Sequence, residues 1–206
     1  MPINNKINLK NLPTLVPHNI DWAVYFNNEN PVDVEIGCGR THFLFDRAIN
    51  FPHRNIVGME WKYEFIERAN NKIARDGFFN VAALHGNAWF LLPLLFAPGS
   101  INEIFINFPD PWWKLRHKKR LVINEVFLDA LAERTKPNGS ILLQTDVAQL
   151  FSYYETLINR HQAFKHDATL SAADIVSCTH ATTHREKKCV LQGLSIYRGL
   201  FRKMTP

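Results

Sequence analysis

Short apolar, β-rich runs alternate along this chain with stretches of helical spacing, and that alternation constrains the fold more than any other feature. The runs are Val32-Asp33-Val34-Glu35-Ile36, Asn55-Ile56-Val57-Gly58-Met59, Phe79 to Leu84, Ile104-Phe105-Ile106, Ser140-Ile141-Leu142-Leu143-Gln144, and a last one around Leu194 to Phe201. Between them the spacing predicts helices over His42 to Ile49, Trp61 to Arg75, Val122 to Lys136 and Val147 to Arg160, with an irregular stretch on to Thr182. Near-continuous apolar strands are buried on both faces, and strands alternating with helices pair in parallel. The chain therefore reads as an α/β protein with a doubly wound, mostly parallel sheet and helices on both faces. Ligands bind such sheets outside the carboxyl ends of the strands, so the residues closing each run matter most.

The first run leads into Gly37-Cys38-Gly39-Arg40-Thr41 and then a helix. Gly37 and Gly39 let the backbone approach a ligand at a helix N-terminus. A pyrophosphate-binding fingerprint needs a third glycine, absent from positions 40 to 44, and Glu35 would oppose a pyrophosphate, so a dinucleotide cofactor is disfavoured. The second run ends in Glu60, whose carboxylate suits either a ribose diol or the start of the next helix. Asn87, after the third run, has the donor and acceptor to pair with an adenine edge, and equally suits a helix cap. Asp146 closes the fifth run on the same rim as Glu35, Glu60 and Asp110.

The stretch from Ile104 to Leu121 joins three chemistries. A buried strand stops at Phe108-Pro109-Asp110-Pro111, where the two prolines hold Asp110 in a stiff, non-helical turn. Trp112 and Trp113 follow, and then Lys114, Arg116, His117, Lys118, Lys119 and Arg120. Taken singly, a basic run is most often a solvated face and the tryptophans are anchors. In this order, aromatic faces beside cations suit a base and its phosphates. A net charge of +5 and a pI near 9.2 agree with a polyanionic partner. Three cysteines with no C-x-x-C pair indicate neither a disulfide framework nor a metal site. The N-terminal residues lack the apolar core of a signal peptide and no run reaches membrane length, so the sequence reads as cytoplasmic.

Together, V-E-I-G-x-G at Val34 to Gly39, G-x-E at Gly58 to Glu60, F-P-D-P-W-x-K-x-R-H-x-K-R at Phe108 to Arg120, and Thr145-Asp146 resemble the bacterial tRNA (guanine-N7-)-methyltransferases. Thr183-x-x-Glu186-x-Lys188 and Gly193-x-x-Ile196-Tyr197-Arg198 fit the same family's closing signature, and the likeness spans roughly residues 30 to 201. It implies a seven-stranded class I methyltransferase domain over residues 31 to 206; residues 1 to 30, polar, Asn-rich and broken by Pro2, Pro13 and Pro17, read as an N-terminal arm laid over it. It implies S-adenosylmethionine as methyl donor and a guanine of the tRNA variable loop as target. Carried over by position, Glu35, Glu60, Asn87 and Asp110, with Gly37 and Gly39 of the shared loop, belong to the cofactor site. Methyl transfer to N7 needs no general base, so Asp110 is expected to be catalytic as an anion near the developing cation or as an acceptor for the guanine. Lys114, Asp146, Thr183 and Glu186 contact tRNA, and Arg116 to Leu121 face the RNA. Thr41 stands where the family usually has glycine and Trp113 where many members have proline, while His184 and Arg185 make the closing loop unusually basic. Two alternatives stand beside this reading: a methyltransferase for another nucleobase position, and a non-catalytic RNA-binding module. Monomer and homodimer both fit the sequence.

Overall fold

The structure is a computed structural model that describes residues 19–111 and 121–205. In chain order the elements are α1 (Trp22–Phe26), β1 (Val32–Ile36), α2 (His42–Asn50), β2 (Asn55–Glu60), α3 (Tyr63–Asp76), β3 (Val81–His85), α4 (Ala88–Leu95) and β4 (Ile101–Asn107). Then come α5 (Glu125–Arg134), β5 (Thr135–Thr145), α6 (Ala148–Arg160), β6 (Phe164–His166), α7 (Ala172–Thr179), α8 (His184–Leu191) and β7 (Tyr197–Lys203). The seven strands form one sheet in the order β3-β2-β1-β4-β5-β7-β6. β1 to β5 run parallel, and β7 is antiparallel to both β5 and β6. The order reverses between β1 and β4, so the crevice beyond their carboxyl ends is the expected ligand site.

Side-chain alternation splits the core into two layers. Val34, Val57, Ile104, Ile141 and their same-face neighbours pack on one side, and Ile56, Phe105, Leu142 and Leu200 on the other. β1 sends Val32, Val34 and Ile36 to the first layer, and its two acids, Asp33 and Glu35, to the opposite face. Gly58 permits the tight seating of the first turn and α2 on β2, because a Cβ there would lie 2.9 Å from both Cys38 Sγ and Leu44 Cδ2. The C-terminal part of the expected arm forms α1, whose Trp22 is buried and stacks on Phe96 with ring centroids 4.8 Å apart.

Several element boundaries differ from the expected ones. α5 is shorter than the expected Val122 to Lys136, because Asn124 caps it by accepting from Phe127 N at 2.8 Å. That cap leaves Ile123 before the helix and Val126 on its solvent side, 76% exposed. Pro137-Asn138-Gly139 sits within β5 as a bulge at a register shift opposite Ile101 and Glu103, with Asn138 at φ 62°. α3 begins at Tyr63, leaving Trp61 exposed, and β3 begins at Val81, leaving Phe79 exposed. The stretch expected to be irregular holds β6 and α7. Both α7 and α8 start at reciprocal capping boxes, Ser171 with Asp174 and Thr183 with Glu186. Eight residues each, they are too short for apolar periodicity to declare them.

Candidate active site

The site grows from the end of β1 and the turn that follows. Gly37 N and Cys38 N both donate to Met59 O, at 2.8 and 3.0 Å, which folds the turn over the end of β2. Gly37 and Gly39 take φ of 73° and 47°, the left-handed region in which glycine costs nothing. Glu60 ties this turn to α3: one carboxylate oxygen accepts from Gly39 N and the other from Lys62 N, each at 3.0 Å. Of the two uses the sequence allowed, backbone fastening is the one seen here. Each oxygen keeps a second lone pair for a ligand.

Thr41 occupies the N-cap of α2 at φ 63°, a strained conformation for a β-branched residue. Its hydroxyl donates to Arg40 O at 2.7 Å instead of capping the helix. It therefore takes the position expected of an N-cap residue without making the side-chain hydrogen bond.

A cavity of about 230 Å³ opens beside this turn. Glu35, Gly37 and Thr41 form one wall, Asn107 and Phe108 at the end of β4 another, and Thr183, His184 and Arg185 at the start of α8 a third. Glu35 is buried, with Oε1 accepting from Asn107 Nδ2 at 2.9 Å. Its Oε2 is buried with no hydrogen-bond partner among the described residues. Burial pushes this carboxyl up to about 8; the Asn107 hydrogen bond opposes the rise and nearby Glu60 adds to it. Cys38 beside it is held well above the usual thiol range by burial, then by Glu35 and Glu60, so its sulfur stays protonated and is no nucleophile.

Polar residues extend the floor away from Glu35 along the strand ends. Gln144 Nε2 donates to Asn107 Oδ1 at 2.9 Å, and Gln144 Oε1 accepts from Arg198 Nε at 3.2 Å. Arg198 Nη2 reaches Glu186 Oε1 at 2.7 Å. Asn107, Gln144 and Arg198 were not among the expected site residues. Asn107 and Gln144 nevertheless carry the signal that exposed Glu35, a polar residue closing an apolar run.

The remaining expected residues divide into four groups. Thr183 and Glu186 are buried and serve each other: Glu186 N donates to Thr183 Oγ1 at 2.9 Å, and Thr183 N to Glu186 Oε2 at 3.2 Å. Asp146 pairs with Arg185, and Asn87 caps α4 by accepting from Trp89 N at 3.0 Å. Asp110 is exposed, two residues past Phe108, which itself takes φ 48°. The cavity walls include Phe108 but not Asp110, Glu60, Asn87 or Asp146. Lys114, Arg116, His117, Lys118, Lys119 and Arg120 lie outside the described residues. Arg40 and His42 complete the basic rim with His184: Arg40 Nη1 lies 3.1 Å from His184 Nε2, and the two imidazole rings are 5.4 Å apart. Burial, then Arg40, lowers the His184 pKa.

A family profile described as a putative methyltransferase matches residues 29–199. The tRNA (guanine-N(7)-)-methyltransferase of Thermosynechococcus vestitus is 32% identical over 184 residues, covering 89% of this chain and 85% of its own length. The enzyme of the same name from Oceanobacillus iheyensis is 33% identical over 178 residues, covering 86% of this chain and 83% of its own. Among solved structures, the aminoglycoside resistance methyltransferase NpmB1 superimposes with a TM-score of 0.62 at 15% identity, over 89% of this chain and 92% of its own. The 16S rRNA methyltransferase KamB does so with a TM-score of 0.62 at 16% identity, over 94% and 97%. At those identities the structural likeness is one of fold.

Proposed function

This chain belongs to the bacterial tRNA (guanine-N7-)-methyltransferase family, and we propose that it transfers a methyl group from S-adenosylmethionine to N7 of a guanine in the tRNA variable loop, at the cavity beside β1 and β4. The observation that carries the reading is Glu35: a buried carboxyl on a cavity wall, with one oxygen committed to Asn107 and the other left unpaired. A buried polar atom without a partner is costly, so such an atom in a cavity wall fits a ligand that brings a donor. The amino and hydroxyl groups of S-adenosylmethionine are donors of that kind. Gly37 and Gly39 would admit the cofactor to the backbone, and Glu60 retains acceptor capacity for a ribose diol. Asn87, at the start of α4, would meet the adenine.

When bound, S-adenosylmethionine supplies an electrophilic methyl group: the guanine N7 lone pair forms the new N–C bond as the C–S electron pair returns to sulfur, so no proton moves. The protein's task is alignment and electrostatics, and alignment alone accounts for ~7 kcal/mol or more of a barrier. Asp110, held between two prolines at the end of the β4 turn, is proposed as the catalytic anion. It would accept from the guanine N1–H and amino group or stabilise the cation that develops on the ring. Asp146, Thr183 and Glu186 would shape the base-binding side. Lys114 and Arg116 to Arg120 would hold tRNA phosphates and make affinity depend on salt. The enzyme would act in the cytoplasm; no helix among the described residues is long and apolar enough to cross a membrane.

The test is methyl transfer from labelled S-adenosylmethionine to an unmodified tRNA transcript, followed by chain cleavage at N7-methylguanine. A single cut in the variable loop is expected. Absence of transfer by a protein that still binds tRNA in calorimetry would overturn the reading in favour of a non-catalytic module.

A further inference from the structure

Four side chains from four neighbouring strands form one hydrogen-bonded row across the sheet: Arg198 of β7, Gln144 of β5, Asn107 of β4 and Glu35 of β1. The row has a fixed direction. A guanidinium only donates, so Gln144 must turn its oxygen to Arg198 and its nitrogen to Asn107. Asn107 must then present its oxygen to Gln144 and its nitrogen to Glu35. Glu35 Oε1 is thereby compelled to accept, and any proton on this carboxyl must sit on Oε2, the unpaired atom. The same guanidinium holds Glu186 Oε1, whose other oxygen closes the cap of the Thr183 loop.

We propose that Gln144 and Arg198 are positioning residues that act through Asn107 to hold Glu35 in its cofactor-accepting orientation, while Arg198 fixes the capped first turn of α8, Thr183 to Glu186, on the opposite wall. The inference rests on the cofactor reading of the cavity given above. Its consequence is that the cofactor side and the proposed RNA side are set by one guanidinium. A neutral donor or an ammonium arriving at Oε2 meets an acceptor whose partner oxygen is already engaged, and a proton resident on Oε2 leaves to solvent. The other ionisable groups around Glu35 are Glu60 from β2 and Cys38 from the turn, with Arg40, His42, His184 and Arg185 on the cavity rim.

Two substitutions at Gln144 separate this role from a merely structural one. Gln144→Glu keeps the shape, but it shares Arg198 with Glu186, whose Oε2 lies 3.5 Å from Gln144 Nε2, and it presents oxygen to Asn107 and reverses the direction of the row. Asn107 must then turn its own oxygen toward Glu35, which locks Glu35 in the protonated form. Asn107→Asp makes the same reversal away from Glu186. Gln144→Met removes every hydrogen bond of the side chain yet leaves Asn107 free to donate to Glu35. A packing or structural role predicts that Met is the worse replacement; the directed row predicts that Glu is.

Titration calorimetry of the full chain with S-adenosylhomocysteine, from pH 6 to 9, reads the difference. The expected result is binding weakened at least tenfold in Gln144→Glu with its pH midpoint moved upward, and weakened less, about threefold, in Gln144→Met with the midpoint unchanged, because Asn107 then loses its anchor but keeps its direction. Unchanged binding in Gln144→Met would show that Gln144 does not position Asn107. Equal loss in both variants, or a greater loss in Gln144→Met, would overturn the proposal. Should melting curves show Gln144→Glu unfolded, Asn107→Asp addresses the same junction. It still accepts from Gln144 but presents oxygen to Glu35, and binding should fall as far; wild-type affinity in that variant would overturn the proposal. Failure of the wild-type protein to bind S-adenosylhomocysteine would instead remove the cofactor reading on which the row depends.

Discussion

Asp33 and Glu35 lie two residues apart on β1, on the same face of the sheet, and both are almost wholly buried. Asp33 is surrounded by donors: Arg47 Nη2 at 3.0 Å, Arg54 Nη1 at 3.1 Å and Asn102 Nδ2 at 3.3 Å. Arg47 continues from it to Glu103 at 2.7 Å and to the carbonyls of Cys178 and Thr179 at 3.0 and 3.1 Å, which docks the end of α7 on the sheet. Glu35 has one amide partner and one unpaired oxygen. Burial raises both carboxyls, Asp33 to about 6 despite its two arginines and Glu35 to about 8. At neutral pH Asp33 is therefore ionised inside a completed network, and Glu35 is largely protonated beside a cavity. The same residue class on one strand completes a structural network at its entry and keeps an unpaired oxygen at its carboxyl end, the edge at which open α/β sheets bind ligands.

The sharpest way to break the contrast is to delete each acid. Asp33→Ala leaves Glu103 as the one carboxylate shared by Arg47 and Arg54, and removal of one partner from a buried ion pair typically costs ~3–5 kcal/mol. Urea unfolding should show a loss of that size; a loss below ~1 kcal/mol would mean that Asp33 is no more structural than Glu35. Glu35→Gln should do the reverse. Its amide oxygen still accepts from Asn107, so stability should stay within ~1 kcal/mol of the parent. Binding of S-adenosylhomocysteine should nevertheless weaken by at least tenfold, about 1.4 kcal/mol. A stable protein with unimpaired binding would remove Glu35 from the cofactor site.

The pH dependence of stability sharpens the same contrast. A carboxyl raised in the folded state binds its proton more tightly there than in the unfolded chain. Its contribution is fully present below the unfolded value and is lost as pH rises through the folded one. For Asp33 that window runs from its ordinary 3.8 to about 6, and for Glu35 from 4.5 to about 8. Between pH 6 and 8 only Glu35 of the pair contributes to the downward slope. Melting curves should show that slope flattened in Glu35→Gln and retained in Asp33→Asn. Equal slopes in the two variants would show that the two acids titrate alike.

These two acids also mark how far the sequence alone reaches. The parallel sheet, the turn at Gly37 to Thr41, and Glu35 and Glu60 were all legible, because each acid closes an apolar run and the strand-helix alternation says which end that is. The partners were not. Arg47 in the middle of an amphipathic helix reads as a solvated residue, yet it is 2% exposed and its contacts lie 14, 56 and 131 residues away. The row from Arg198 to Glu35 depends on β7 inserting beside β5 and on the register of β4 between β1 and β5, neither of which local spacing encodes. The Thr-x-x-Glu spacing at Thr183 was visible, and it does two things at once. As a capping box it starts α8, and it thereby sets the N-cap and first turn that form the third wall of the cavity.

The smallest expected effect concerns where the backbone strain is kept. Thr41 and Phe108, on facing walls of the cavity, both take positive φ although neither is glycine. A non-glycine residue in the left-handed region costs on the order of 1 kcal/mol or more. Thr41→Gly removes that strain but adds freedom to the unfolded chain, worth ~0.4–1 kcal/mol in the other direction, and gives up the hydroxyl's bond to Arg40 O. The net should be a stabilisation of no more than about 1 kcal/mol, a rise in Tm of ~2–4 °C for a chain of this size. The side chain is only 7% exposed and lines the cavity, so its loss should also widen the entrance beside Glu35. S-adenosylhomocysteine should bind Thr41→Gly at least as tightly as the parent. A lower Tm together with weaker binding would show that the Arg40 hydrogen bond, rather than the strain, dominates at this turn, and that the threonine shapes the turn for its ligand.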